Sequence, residues 1–383
     1  MPELDSRRQL AKPEFDGEWV RLGDVCTKGK SNLRQKDLKN DGPYPVYGAP
    51  GIVGFSSNYQ NADAYVAVVK DGAGVGRVMA CEPRSSVLGT MQALLPGKGT
   101  DRDYLLHLVR SMDLGKGFTG STIPHIYFKD YGKTLVRALS RGRQVEVANR
   151  LSGIDRLISQ GKQQLSALND LVKSQFVEMF GDPVANEMGW AISTVKDSAT
   201  VYGDGPFGSN LKSSDYVDEG VRVIRLGNIA QGHFSEKDRS FISFEKFETL
   251  KKFECRPGEV VIATLGDPIL RACLVPKLPV PSIHKADCMY YQVDRSKLLP
   301  IFAMCAINHP SMLRRAQGDT HGQTRGRINS TQTGNLPMVL PPLALQQQFA
   351  DFVARVDKLG FDVQRQIEKL ETLKQSLMQD YFG

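Results

Sequence analysis

Residues 120–181, GSTIPHIYFKDYGKTLVRALSRGRQVEVANRLSGIDRLISQGKQQLSALNDLVKSQFVEMFG, lie without a gap on residues 322–383, GQTRGRINSTQTGNLPMVLPPLALQQQFADFVARVDKLGFDVQRQIEKLETLKQSLMQDYFG. At this offset of 202, Gly120, Thr122, Ile126, Gly132, Gln144, Ala148, Asp155, Leu157, Gln164, Leu168, Leu171, Ser174, Phe180 and Gly181 recur identically. These are 14 identities in 62 positions, where composition alone would give roughly 4. The chain is therefore written twice. Towards the start of each half the offset becomes 171, with GEWVRLGDV around Trp19 set against MGWAISTVKD around Trp190, so the second copy holds about 31 additional residues before Gly322.

The end of each copy has the three-and-four spacing of a helix with one apolar seam. The seam residues are Leu151, Ile154, Ile158, Leu165, Leu168, Val172 and Met179 in the first copy. In the second they are Val353, Val356, Val363, Ile367, Leu370, Leu377 and Tyr381. Glutamine, lysine and glutamate fill the other faces, which predicts two amphipathic helices of about 35 residues, ~50 Å each. Core helices of a single domain would show the same period, but a seam this long favours two helices paired with each other. The residues expected to form this helical partner surface are Leu151, Ile154, Leu165, Leu168, Val353, Val356, Ile367 and Leu370.

Upstream of each helix the pattern changes to β-branched runs: AYVAVV from Ala64, VRVIRL from Val221 and EVVIATL from Glu259, divided by Gly, Pro, Asn and Asp. The expected class is α+β with mostly antiparallel sheet: two tandem globular domains, each followed by a long helix, the helices pairing as an antiparallel coiled coil. The corresponding boundaries are 1–142 and 182–343 for the globular domains and 143–181 and 344–383 for the helices. A length of 383 residues agrees with two or three domains at roughly 100–200 residues each.

Composition narrows the function. With 41% hydrophobic and 24% charged residues the chain can bury true cores. No run approaches the ~20 apolar residues of a membrane helix, and the N-terminal MPELDSRRQLAKPEF has mixed charges where a signal peptide has an apolar core, so a cytoplasmic location is expected. The six cysteines, Cys26, Cys81, Cys255, Cys273, Cys288 and Cys305, form no C-x-x-C pair, which signals neither a disulfide framework nor a zinc site. A net charge of +7 favours a polyanionic partner: DNA, RNA or a membrane surface.

Catalytic motifs fail on context. DGAGVG (Asp71–Gly76) and GDGPFG (Gly203–Gly208) are glycine clusters, but neither follows a strand and opens a helix as a dinucleotide fingerprint must, so both are turns. There is no G-x-x-x-x-G-K-[ST], no H-E-x-x-H, no G-x-S-x-G and no Asn-Pro-Pro-aromatic motif of the amino-methyltransferases. His107, His125, His233, His284, His309 and His321 have no metal-ligand spacing, and no metal site is expected. Positive charge is instead concentrated in HPSMLRRAQGDTHGQTRGRINSTQTGN, which has Arg314, Arg315, Arg325 and Arg327 against Asp319 alone. Arginine among Gly, Ser, Thr, Asn and Gln suits phosphate clamping and base-edge reading. The first copy has GKGFTGSTIPHIYFKD, with Lys116, His125 and Lys129, at the same point.

These segments resemble the specificity subunits of Type I restriction-modification systems, over nearly the whole chain. The second half carries GPFGSNLKSSDYVDEGVRVIRLGNI (Gly205–Ile229), CRPGEVVIATLGD (Cys255–Asp267) and LPPLALQQQF (Leu340–Phe349). The first carries GPYPVYGAPGIVGF (Gly42–Phe55), VVKDGAGVGRV (Val68–Val78) and GSTIPHI (Gly120–Ile126). The resemblance implies two target recognition domains on antiparallel helices, each reading one half of a split, asymmetric DNA sequence. It also implies helix-bound modification subunits that hold S-adenosylmethionine and methylate adenine, with cleavage subunits as further partners. The chain itself would be non-catalytic and hold no cofactor. One departure is ALSRGRQ (Ala138–Gln144), which lacks the pair Pro341-Pro342 found before the second helix. A ~50 Å rod would hold the half-sites on the order of ten to fifteen base pairs apart at most.

The candidate DNA-binding residues are Tyr47, Lys70, Arg77, Ser121, Thr122 and His125 in the first domain. In the second they are Ser209, Lys212, Arg225, Asn228, Thr324, Arg325, Arg327 and Asn329. Two rival readings are an interaction scaffold whose globular domains read no sequence, and a nuclease or methyltransferase acting alone. Sequence-independent DNA binding by the assembled complex would favour the scaffold. Cleavage or methylation by the isolated chain would favour the enzyme.

Overall fold

The computed structural model describes residues 17–117, 124–318 and 326–383. Ser121, Thr122, Thr324 and Arg325 lie outside the described residues. The chain groups into two compact units, one running to Gln163 and completed by Val363–Gly383, the other Gln164–Asp362. The two long helices, Arg141–Phe180 and Leu343–Phe382, are 40 residues each. They are therefore not separate bodies between two domains, because each unit incorporates part of both.

In the first unit, β1 (Glu18–Arg21) pairs antiparallel with β9 (Leu135–Ala138). The main sheet holds β2 (Cys26–Lys28), β5 (Tyr65–Val69), β6 (Val78–Cys81) and β8 (Met91–Pro96) in the order β2-β8-β5-β6. Strand β5, YVAVV, is buried on both faces, which is why it reads as a continuous apolar run rather than an alternation. A smaller sheet places β3 (Tyr44–Gly48) between β4 (Gly51–Ser56) and β7 (Ser86–Val87), with β3 and β7 parallel. Helix Arg102–Ser111, N-capped by Asp101 through the amides of Asp103 and Tyr104, packs Tyr104, Leu105, Leu108 and Val109 into the core.

The second unit repeats this plan. Strand β10 (Ala191–Thr194) pairs with β20 (Pro337–Leu340). The main sheet is β11-β19-β16-β17, built from Ala199–Asp204, Cys288–Val293, Val260–Ala263 and Arg271–Leu274. The smaller sheet is enlarged to β12-β14-β13-β18-β15, from Tyr216–Val217, Phe241–Ile242, Val221–Ile224, Ser282–His284 and Glu254–Cys255, with β13 and β18 parallel. Helix Pro300–Ile307 takes the place of Arg102–Ser111 and begins with the proline that suits a first helical turn.

One sequence register is corrected. Glu18 stands opposite Ala138 and Ala191 opposite Leu340, so with 138 and 340 related by 202 the offset at the start of the copies is 173 rather than 171. The two tryptophans are not equivalent. Trp19 lies in β1 under the Arg137 guanidinium, whereas Trp190 precedes β10 and donates its indole N–H to the Phe180 carbonyl at 3.0 Å. The residues that do correspond are Leu22 and Val195, both fully buried and bonded through their amides to Thr134 and Leu336.

Within each unit the helix segments run antiparallel. In the first, Arg150 reaches the Tyr381 hydroxyl at 3.2 Å, Asp155 meets Lys374 at 2.5 Å, and Lys162 meets Glu371 at 3.1 Å. Gly161 allows a close approach, since a Cβ there would stand 2.8 Å from Ile367. In the second unit Phe176 and Phe180 stack around Phe349 and Phe302 at centroid distances of 4.7–5.6 Å. The first helix starts at the point equivalent to the second despite lacking the proline pair, because Gln144 and Gln346 anchor both starts in the same way, as detailed below.

Candidate nucleic-acid interface

Both glycine clusters are turns. In DGAGVG, Gly72, Gly74 and Gly76 all have positive φ in the tight connection from β5 to β6, and a Cβ on Gly76 would stand 2.2 Å from the Gly115 amide. GDGPFG runs from the end of β11 into a single 3-10 turn, Gly208–Asn210.

The two units share a short backbone ladder at the end of the central strand. After β5, the Lys70 carbonyl accepts from Ile126 N–H at 3.0 Å and Gly72 N–H donates to the Pro124 carbonyl at 3.0 Å, with His125 opposite Asp71. After β16, the Thr264 carbonyl accepts from Ile328 N–H at 3.0 Å and Gly266 N–H donates to Gly326 at 3.3 Å, with Arg327 opposite Leu265. His125 and Arg327 therefore occupy the same position on the same scaffold. His125 Nδ1 lies 2.7 Å from Asp71 Oδ1 and its ring stacks on the exposed Tyr127. Arg327 Nη2 lies 2.6 Å from Asp287 Oδ1, and the guanidinium side chain is 51% exposed.

Other candidates gather at these strand ends. Lys70 follows β5, and Arg77 precedes β6, exposed, its Nη1 donating to the Ala49 carbonyl at 2.9 Å. Ser209 and Lys212 are exposed beyond β11, next to the exposed Phe207. Arg225 follows β13 and bonds Ser240 Oγ at 3.1 Å beside Asp238. Asn329 is exposed, but its Oδ1 caps the turn Ser330–Gly334 by accepting from Gln332 N–H at 2.8 Å.

Two candidates are corrected. Tyr47 is buried in the β3 core, its hydroxyl accepting from Glu82 N–H at 3.4 Å, and burial raises its pKa. Asn228 is fully buried, with its carboxamide bonded to Arg225 N–H at 2.9 Å and to the carbonyls of Ser235 and Asp238 at 2.8 and 2.7 Å. Both are structural, since a side chain enclosed by protein cannot meet a base edge. Reading for cations and amides missed the carboxylates Asp71 and Asp287, and also Lys285, whose ammonium sits 5.5 Å above the Tyr216 ring. The pairing of strands, not local sequence, brings these to the site.

The helix seam is also corrected in part. Leu151, Ile154, Val353, Val356 and Ile367 are buried within their own units, and Leu165, Leu168 and Leu370 are half-buried, so the seam is internal packing rather than a surface. The exposed apolar side chains lie on another face. Leu157 and Leu171 are 52% and 46% exposed, and their repeat equivalents Leu359 and Leu373 are 57% and 46% exposed. Gln164 and Gln366, seven residues on from the first leucine of each pair, are exposed as well. The same Leu-x6-Gln-x6-Leu stripe thus survives on both helices where packing does not require it.

Among the described residues no group of His, Cys, Asp and Glu is arranged to hold a metal, and no helix is long and apolar enough to cross a membrane. Burial pushes Cys26, Cys81, Cys273 and Cys305 up to about 12, which leaves them inert thiols.

Two repeated units thus present different polar side chains, His125 and Arg327, on the same backbone ladder. Residues 16–169 match the family described as the Type I restriction modification DNA specificity domain. The Type I restriction enzyme MjaVIII specificity subunit of Methanocaldococcus jannaschii is 23% identical over 96% of this chain and 92% of its own length. The fold is shared with the crystal structure of the Type I restriction-modification S subunit from M. genitalium, with a TM-score of 0.58 and 14% identity over 97% of each chain. It is also shared with a structure concerned with complex assembly and conformational transition of the type I R-M system, with a TM-score of 0.54 and 15% identity over 95% of this chain and 97% of the other. Residues 16–169 thus carry the Type I restriction modification DNA specificity domain, and the chain is similar over nearly its whole length to a specificity subunit of a Type I restriction enzyme.

Proposed function

We propose that this subunit reads a split, asymmetric double-stranded DNA target, one half per unit, and positions adenine methyltransferase subunits, and cleavage subunits where present, upon it. The observation that carries the asymmetry is the shared ladder ending in His125 in one unit and Arg327 in the other. Identical backbone supports with different hydrogen-bonding heads give two readers of the same build and different base preference.

The chain acts as a recognition subunit without catalytic groups of its own, in the cytoplasm, as part of a defence against foreign DNA. S-adenosylmethionine belongs to the modification subunit, and the repeated Leu-Gln-Leu stripes supply two equivalent docking faces for that subunit. Selection of bound sequences from randomised DNA by the assembled complex tests this reading. Two short, different conserved blocks separated by an unread gap are expected. Recovery of no sequence preference would favour the scaffold reading, and methylation or cleavage by the chain alone would overturn the non-catalytic role.

A further inference from the structure

The position shared by His125 and Arg327 has a second property in common: each side chain is met by a carboxylate, but from a different element. In the first unit the carboxylate is Asp71, on the strand opposite His125. Its ladder equivalent in the second unit is Leu265, which has no charge. There the carboxylate is Asp287, in the turn between β18 and β19. The first-unit equivalent of Asp287 is Thr90: Lys70 N–H donates to the Thr90 carbonyl, and Thr264 N–H to the Asp287 carbonyl, both at 3.0 Å. The acid comes from a different segment in each copy and still reaches the side chain at the same ladder position. Loop cohesion does not demand this, since the backbone ladders are already complete.

Resting on the DNA-reading function above, we propose that Asp71 and Asp287 are positioning residues that hold His125 and Arg327 for base reading and keep them from the phosphates. A carboxylate 2.6 Å from one guanidinium nitrogen offsets part of the side chain's charge and draws that end of the fork towards it. The remaining donors are then biased towards one orientation, which favours bidentate reading of a guanine edge. The contact is an ion pair rather than a directed hydrogen bond, as Asp287 Oδ1 accepts none, so it orients Arg327 without locking it. Among the described residues Asp204, at the end of β11, is a second acid in the field of Arg327 and is engaged by Ser330.

The test is Asp287→Asn in the full chain assembled with its modification subunits. Asp287 has φ of 64°, a left-handed conformation that asparagine tolerates, so the charge is removed without backbone strain. Released, Arg327 turns to the phosphates. The slope of log affinity against log salt should steepen by about 0.9, and discrimination at one base pair of one half-site should fall on the order of ten- to a hundredfold. The other half-site should be unchanged, and Asp71→Asn should relax that other half-site alone.

An unchanged motif and salt slope in Asp287→Asn would overturn the inference. Absence of any split motif for the unaltered complex would instead overturn the reading beneath it. If Asp287→Asn fails to fold, Arg327→Ala decides: loss of one base pair's identity supports the inference, and uniform weakening with a flatter salt slope contradicts it.

Discussion

Gln144 and Gln346 make the same three hydrogen bonds in the two units. The Gln144 carbonyl accepts from Asp101 N–H at 2.7 Å and its amide donates to the carbonyls of Leu139 and Gly99 at 2.7 and 3.3 Å. Gln346 accepts from Leu299 N–H at 2.8 Å and donates to Pro341 and Lys297 at 2.8 and 2.9 Å. Each buried carboxamide ties the first turn of a long helix to the start of the crossing helix. Replacing either with leucine strands one buried and two part-buried backbone groups and should cost roughly 1–3 kcal/mol, read as a lower urea midpoint. A loss below about 0.5 kcal/mol, the level of an ordinary surface change, would contradict this account.

The outer leucine stripe and the inner seam should separate in their effects. Leu157→Ser with Leu171→Ser, or Leu359→Ser with Leu373→Ser, removes exposed side chains and should change stability by no more than about 0.5 kcal/mol per site. Co-purification of the methyltransferase subunit should fall sharply. Leu151→Ala, fully buried, should cost about 2–5 kcal/mol instead. Undiminished subunit binding by both stripe variants would remove that face from the interface.

Acid should destabilise both units through histidines whose pKa burial lowers, His107 in the first and His284 and His309 in the second. Burial lowers the pKa of His107 and of His284 to about 4, against about 6.5 in an unfolded chain. The folded groups stay neutral while the unfolded ones take up protons, so stability is unaffected above about pH 6.5 and declines as pH falls towards 4. At about pH 5.5 His107 and His284 each contribute a loss of about 1 kcal/mol. His107→Gln and His284→Gln should each flatten the pH dependence of the urea midpoint between 7 and 5.5, and an unaltered slope would show that the buried imidazoles are not its source.

Four residues inserted near Ser159 should lengthen the unread gap between the half-sites and leave the half-sites themselves intact. Methylation mapping of the variant complex measures this, and the original gap would contradict helix length as the ruler.

The duplication was legible because its C-terminal part keeps a constant offset. Ile126 and Ile328, Gln144 and Gln346, and Leu157 and Leu359 match identically, and each pair has the same structural place. The start of the copies is misleading in sequence because two tryptophans are conspicuous, whereas the true partners, Leu22 and Val195, are merely apolar and buried. Tyr47 and Asn228 read as surface residues in the sequence because sequence does not report which face of a strand or turn is enclosed. Asp71 and Asp287 are not legible as a pair in the sequence because they come from different elements, and only the folded ladder brings each to the same position.

The most direct measurement is a genome-wide map of methyladenine in the source cells, with and without this gene. The account predicts that deletion abolishes methylation at one split, asymmetric motif and leaves other motifs intact. The same motif methylated at the same level in both strains would contradict it.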